Sequence, residues 1–284
     1  METLERIVAA RQRVAAWRRA GSTVALVPTM GNLHDGHLSL VRLGRARADH
    51  VVVSIFVNPM QFGTGEDFER YPRTLERDCA LLAAAGVDLA FTPAAAEIYP
   101  AGPAASAVVD VPGLSGILEG RTRPGHFAGV ATVVTKLFNI VAPDVAVFGQ
   151  KDFQQLTLIG QLVRDLCLPI DIVPGPTVRD DDGLALSSRN QYLSAEERRR
   201  APALHAALAV ARARVADGDR DWAAIEAGAC KALRRAGFVP DYIAVRRVHD
   251  LLEPAADDRE LVVLGAARLG QTRLIDNVRV TRGG

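Results

Sequence analysis

The sequence predicts an α/β fold, a parallel sheet with helices on both faces, followed by a smaller C-terminal α+β domain. Three observations carry this reading. Short strands and amphipathic helices alternate as far as residue 175, the strands are apolar throughout rather than at every second position, and the texture changes near residues 175–180. Continuous apolar strands between helices belong to a sheet buried on both sides.

Residues 4–20 have helical period, with Leu4, Ile7, Val8, Val14 and Trp17 on one side and Gly21 as the stop. The strand Thr23–Val27 follows, then a glycine-containing loop and a helix around Leu38–Ala48. VVVSIFV (51–57) is the next strand, residues 74–86 a helix ended by Gly86, and residues 88–93 another strand. Helices over 131–142 and 153–166 flank a strand at 145–148, and a strand at 170–173 completes a Rossmann-like unit. Such sheets bind ligands beyond the carboxyl ends of their strands. Further on, Ser194 with Glu197 forms a capping-box signature, opening an Arg- and Ala-rich helix that runs to about Ala216. A second helix starts after Asp221 and stops at Gly237, and the tail reads as antiparallel strands. The expected domains are 1–177 and 178–284.

Composition narrows the function classes. Lys plus Arg (34) nearly balances Asp plus Glu (33), which argues against a nucleic-acid-binding surface. No apolar run approaches the ~20 residues that span a bilayer, and the first residues lack the apolar core of a secretion signal, so a cytoplasmic location is expected. Cys79, Cys167 and Cys230 are scattered, without a CxxC pair, and read as buried, inert thiols. Only three of the basic residues are lysines (Lys136, Lys151 and Lys231), so each lysine draws notice.

The sharpest motif is PTMGNLHDGHLSLV (28–41), lying between the first of these strands and its helix. A helix N-terminus presents unpaired amides and partial positive charge, which suits phosphate. Gly31 and Gly36 have the spacing that opens a P-loop, but His37 and Leu38 stand where Lys and Ser or Thr would be needed. Alone, His34-x-x-His37 fits two surface histidines, a zinc pair without a third ligand, or two donors to one phosphate; its strand–loop–helix setting favours the last. NPMQF (58–62) ends the second strand and offers Asn58 and Gln61, neutral amides suited to orienting a carboxylate without neutralising it. In FGQKDFQQL (148–156), Gly149 permits close backbone approach and Lys151 can reach phosphate. There Asp152 serves as a ribose acceptor or a helix cap, and Gln155 lies one helical turn past Lys151. Ser187, Ser188 and Arg189 follow an Asp-Asp-Gly turn, as in a loop that folds over a nucleotide.

These four segments, in this order and at these intervals, resemble the pantothenate synthetase family of the nucleotidyltransferase superfamily, related to class I aminoacyl-tRNA synthetases. The resemblance spans essentially the whole chain. It implies that ATP and (R)-pantoate form a pantoyl-adenylate and pyrophosphate, and that β-alanine then displaces AMP. It also implies an N-terminal domain for ATP and pantoate, a C-terminal lid, a homodimer, and Mg²⁺ accompanying ATP.

By position, Met30, Gly31, Asn32, Leu33, His34, Asp35, Gly36 and His37 would hold ATP, with His37 as acid and His34 as its phosphate-binding partner. Gly149, Gln150, Lys151 and Asp152 would seat ribose and phosphates, Val178 would meet adenine through its backbone, and Leu186, Ser187, Ser188 and Arg189 would close over the triphosphate. Lys151 and Arg189 would neutralise pyrophosphate; Gln61 and Gln155, with Asn58, would hold pantoate, and Gln61 would also lie near β-alanine. His126 and Arg123 would border that pocket, and Asp78 matches a metal-contacting acid, though Arg77 precedes it where some relatives carry a second acid. Rival readings are a nucleotidyltransferase with a phosphate acceptor, which would want basic residues in place of Gln61 and Gln155, a tRNA synthetase, and a non-catalytic nucleotide sensor.

Overall fold

The protein was analysed as a computed structural model that describes residues 1–63 and 65–282. It divides into two compact units, Met1–Gln150 with Leu158–Pro176, and Lys151–Thr157 with Thr177–Gly284. Along the chain come β1 (Glu2–Leu4), α1 (Ile7–Arg19), β2 (Val24–Thr29), α2 (Asp35–Arg45), β3 (His50–Ile55), α3 (Leu75–Ala84) and β4 (Leu89–Phe91). They are followed by α4 (Ala95–Ile98), α5 (Glu119–Thr122), α6 (His126–Val141), β5 (Val145–Gly149), α7 (Phe153–Asp165) and β6 (Asp171–Gly175).

The six strands form one sheet in the order β1-β4-β3-β2-β5-β6, every pair parallel. From β2 the chain steps outward through β3 and β4, then crosses back to place β5 and β6 on the other side. The order therefore reverses between β2 and β5, and the crevice beyond the carboxyl ends of those strands is where such sheets take ligands. Val24 to Val27 are each 0% exposed, which is why this strand reads as an unbroken apolar run.

Two boundaries differ from the sequence expectation. The segment expected to be helical from residue 4 begins with β1, whose Leu4 lies opposite Phe91 of β4. Three residues carry no period of their own, and pairing with a distant strand decides their state. Helix α6 starts at His126, five residues before the expected start. Its Gly129 resembles a helix breaker but is demanded by packing: a Cβ there would lie 2.3 Å from the Met60 carbonyl oxygen and 2.7 Å from the Gln61 nitrogen. Helix and Pro59–Gln61 turn thus touch backbone to backbone.

In the second unit, α8 (Ala195–Arg200), α9 (Ala203–Ala216) and α10 (Trp222–Arg235) are followed by β7 (Val239–Arg247), β8 (Glu260–Leu269) and β9 (Thr272–Thr281), an antiparallel sheet in sequence order. Leu204, Leu208, Ile225 and Leu233 pack against Leu261 and Val263 to form its core. The Ser194 capping box forms in full, Glu197 N–H donating to the Ser194 hydroxyl at 3.2 Å and Ser194 N–H to the Glu197 carboxylate at 2.8 Å. The single helix expected from there to Ala216 is broken, because Pro202 has no N–H to donate and becomes the N-cap of α9. The thiols also depart from expectation. Cys79 and Cys230 are half-buried and Cys167 is exposed, held in a left-handed turn (φ +52°) just after α7.

Gly129→Ala should therefore lower the free energy of unfolding by about 1–3 kcal/mol, the cost of overpacking a closed contact. Gly116→Ala, where a Cβ meets nothing within 4 Å, should stay within about 0.5 kcal/mol. Urea unfolding of both variants measures the difference.

Candidate active site

The β2–α2 loop is built around a buried carboxylate. Asp78 of α3 is 0% exposed. Its Oδ2 accepts from the Asn32 N–H (2.8 Å) and the Thr74 hydroxyl (3.1 Å), and its Oδ1 from the Leu33 N–H (2.9 Å). Gly31 (φ +81°) and Asn32 (φ +50°) are both left-handed, which points successive amides into one concavity, an anion nest filled here by the protein's own side chain. A side chain at Gly31 would meet Asp78 Oδ2 at 3.0 Å and Ile55 Cγ2 at 3.1 Å, so glycine is required for conformation and for space. Asp78 accordingly serves as a loop anchor rather than as the metal ligand its position suggested. Its acceptor sites face amides and a hydroxyl.

The histidines complete the same economy. The Gly36 N–H donates to His34 Nδ1 at 3.2 Å and the His34 N–H to His37 Nδ1 at 3.3 Å, a capping box made of imidazoles. The Gly31 N–H goes to the Thr29 hydroxyl (3.2 Å) and the His37 N–H to the His34 carbonyl (2.8 Å). Unpaired amides at this helix start were the expected phosphate cradle. Those of residues 31–34, 36 and 37 already have protein acceptors, so the ring edges are the side-chain donors this turn can offer an anion. A neutral imidazole whose Nδ1 accepts must carry its proton on Nε2. The rings lie 4.1 Å apart at 40°, so His34 and His37 form one donor pair.

Next to this loop, at the end of β3, sits a neutral amide pair. Asn58 is 1% exposed and uses all of its hydrogen-bonding capacity inside the protein. Its Nδ2 donates to Gln61 Oε1 and to the Gly129 carbonyl, each at 3.1 Å. Its Oδ1 accepts from the Tyr99 hydroxyl (2.7 Å) and the Met60 N–H (3.3 Å). Asn58 therefore supports Gln61 and is not itself the ligand-facing group it was expected to be. Gln61 then points its Nε2 at the Met30 sulfur, 3.0 Å away, joining the two strand ends. Burial pushes the Tyr99 phenol well above its ordinary pKa, so it stays a donor.

His126 and Arg123 buttress the opposite side of Gln61. The Gln61 carbonyl can only accept, so His126 Nδ1, 2.8 Å from it, carries the proton; Nε2, 3.0 Å from Arg123 Nη1, accepts. Burial, and then the adjacent guanidinium, lower this histidine's pKa to about 4. Arg123 grips Glu66 through two bonds, of 2.7 and 2.5 Å. Burial pushes the Glu66 carboxyl up, but the Arg123 bonds and charge outweigh this and hold it below its ordinary value. Gly149 and Gln150, at the end of β5, lie at the same sheet edge. The motifs did not single out Glu66, Tyr99 or Gly129, since each acts only through partners distant in sequence.

The second unit gathers the remaining candidates. Lys151 and Asp152 sit in the short turn Gln150–Asp152, with Nζ 3.9 Å from the carboxylate, and Gln155 follows on α7. Residues 178–186 form a small hairpin. Arg179 bridges Ala185, the Leu186 N–H donates to the Val178 carbonyl (3.0 Å), and Asp180 to Gly183 make the turn. Directly after it, the Ser187 hydroxyl accepts from the Arg189 N–H (3.3 Å) and caps the turn Ser188–Tyr192.

Residues 2–279 match the family model described as Pantoate-beta-alanine ligase. The chain is 55% identical over 280 residues to the pantothenate synthetase of Thioalkalivibrio sulfidiphilus, covering 99% of this chain and 98% of the relative. It is 57% identical to that of Halorhodospira halophila, covering 95% of each. Among solved structures, the pantothenate synthetase of Thermus thermophilus superposes with a TM-score of 0.91 at 47% identity, over 98% of this chain and 99% of that one. A pantoate-beta-alanine ligase from Francisella tularensis, complexed with beta-gamma ATP and beta-alanine, gives 0.83 at 33% identity, over 98% and 97%.

The His126 geometry carries a pH signature. In the folded protein this ring takes up its proton only near pH 4, against an ordinary value of 6.5. Between those values the unfolded chain binds more protons, so stability should fall as pH drops from 6.5 toward 4. In His126→Gln that contribution is absent, and urea unfolding at pH 7 and pH 5 should show the variant losing less stability than the wild type.

Proposed function

The chain belongs to the pantoate–β-alanine ligase family, and from that membership we propose which residues carry each step. The reaction is the ATP-dependent condensation of (R)-pantoate with β-alanine, through pantoyl-adenylate, with release of pyrophosphate and AMP. A carboxylate is a poor acyl donor, whereas its mixed anhydride with AMP has a good leaving group that the amine of β-alanine can displace.

In the first step a carboxylate oxygen of pantoate attacks the α-phosphorus and the bond to the β-phosphate oxygen breaks. Charge builds on the phosphate oxygens. The Nε2–H edges of His34 and His37 donate to those oxygens as neutral groups, so His37 acts as a hydrogen-bond donor in place of the acid expected from the resemblance. Gln61 orients the pantoate carboxylate without quenching its nucleophilicity, and Gln155 shares that substrate. Lys151 and Arg189 balance the departing pyrophosphate, with Leu186, Ser187 and Ser188 around it. Gly149, Gln150 and Asp152 seat the ribose and phosphates, and the Val178 backbone meets adenine.

The observation that carries this reading is the imidazole capping box, which fixes both tautomers through backbone N–H groups. Magnesium fits best as a companion of the triphosphate. Asp78 is committed to the loop, and among the described residues no group of three or more His, Cys, Asp or Glu side chains can hold a metal ion. A hard cation of this size takes its shell from phosphate oxygens and water, and no protein ligand is proposed for it. No helix among the described residues is long and apolar enough to cross a membrane. A cytoplasmic homodimer is proposed on the family resemblance, and sedimentation would test the dimer.

His37→Ala should lower pantoate-dependent pyrophosphate–ATP exchange at least about a hundredfold, the usual cost of one transition-state donor. The lost cap should cost only about 1 kcal/mol of stability, leaving the protein folded. Exchange at the wild-type rate would remove His37 from the mechanism.

A further inference from the structure

Strand β9 carries a polar dipeptide, Asp276-Asn277, in the interior of the second unit, and both side chains reach out of the sheet to loops far away in sequence. Asp276 is 4% exposed and Asn277 7%. Asp276 Oδ2 and Oδ1 accept from Arg179 Nη1 (2.7 Å) and Nη2 (2.9 Å), and His205 Nδ1 of α9 lies 3.4 Å from Oδ2. Arg179 passes the restraint onward by donating to the Gly183 carbonyl at 3.1 Å, across the turn of its own hairpin. Asn277 Nδ2 donates to the main-chain carbonyl of Lys151 at 2.9 Å. The same strand thus holds both proposed nucleotide-contacting segments of this unit: the hairpin from Val178 to Leu186, with Ser187–Arg189 directly after it, and, through its main-chain carbonyl, Lys151, whose ammonium is assigned to the phosphates.

We infer that Asp276 and Asn277 are positioning residues for nucleotide activation, Asn277 acting through Lys151 and Asp276 through Arg179. A buried ionic group is a poor choice for stability alone, since apolar residues of similar volume serve as well or better. Here Asp276 reaches the hairpin through Arg179 and Asn277 reaches the Lys151 carbonyl, and these two links give the pair its purpose. The inference rests on the assignment of Lys151 to the phosphates.

The decisive variant is Asn277→Leu, close in size and unable to donate. It should raise the KM for ATP in pantoate-dependent exchange about tenfold, as expected for a buried carbonyl deprived of its donor. The KM for pantoate, and the rate at which β-alanine consumes preformed pantoyl-adenylate, should change less than about twofold. In a Lys151→Ala background the Asn277→Leu effect on the ATP KM should vanish, because its route has been removed. A purely structural asparagine would lower the melting temperature and leave the ATP KM alone, or would act equally in both backgrounds; either result overturns the inference. Should Asn277→Leu not fold, Asn277→Ala carries the same comparison. If Lys151→Ala exchanges pyrophosphate normally, the phosphate assignment itself fails. If Lys151→Ala is impaired and Asn277→Leu is not, only the positioning role is lost.

Discussion

The Asp78 carboxylate, closed inside the first unit, determines what the β2–α2 loop can do. It satisfies two successive amides that the left-handed pair Gly31 and Asn32 turns inward, and with Thr74 it ties the loop to α3. A charge buried this deeply is tolerable only when its acceptor sites are filled. Filling them uses up the backbone donors that a glycine-rich loop would otherwise turn toward phosphate. The task of meeting an anion passes to side chains, and the same turn presents two imidazoles whose Nδ1 atoms are held by backbone N–H groups. A P-loop cradles phosphate with its main chain; this loop ties six of its amides to protein acceptors and adds two rings.

The same division appears around Gln61. Asn58, Met30, Arg123 and His126 all hold Gln61, the amide proposed to meet substrate, or the turn that carries it. Tyr99 and the Gly129 carbonyl complete the hydrogen bonding of Asn58, so the supporting shell has no unfilled polar site that could pull Gln61 aside. The charges nearby are arranged to be quiet. Glu66 absorbs the Arg123 guanidinium, and His126 stays neutral because it is buried beside that guanidinium. Under the proposed assignment a carboxylate nucleophile would gain from this arrangement, since an amide dipole orients it without an ion pair that would blunt its attack.

Where the expectations from sequence were corrected, a partner distant in the chain was responsible. Residues 2–4 lack the length to show a period, and β4 makes them a strand. Gly129 looks like a break, yet α6 runs through it because the Pro59–Gln61 turn leaves no room for a Cβ. Asn58 carries the chemistry of a substrate ligand, but its four bonds are all internal. Pro202 is the exception, a local signal that should have divided the helix expected up to Ala216, since proline cannot donate the bond that would continue it.

Apolar periodicity and helix caps were enough to predict a parallel α/β sheet and a second α+β unit, and the order of PTMGNLHDGH, NPMQF, FGQKDFQQL and SSRN carried the resemblance to the family, which the comparisons then showed. These depend on residue type and local spacing, which a linear string preserves. Which polar groups are tied up inside the protein was decided only in three dimensions. Asp78, Asn58 and Asp276 are indistinguishable from binding residues as letters. Burial then makes an unsatisfied polar atom costly, and the acceptors and donors that satisfy each of them are supplied by folding.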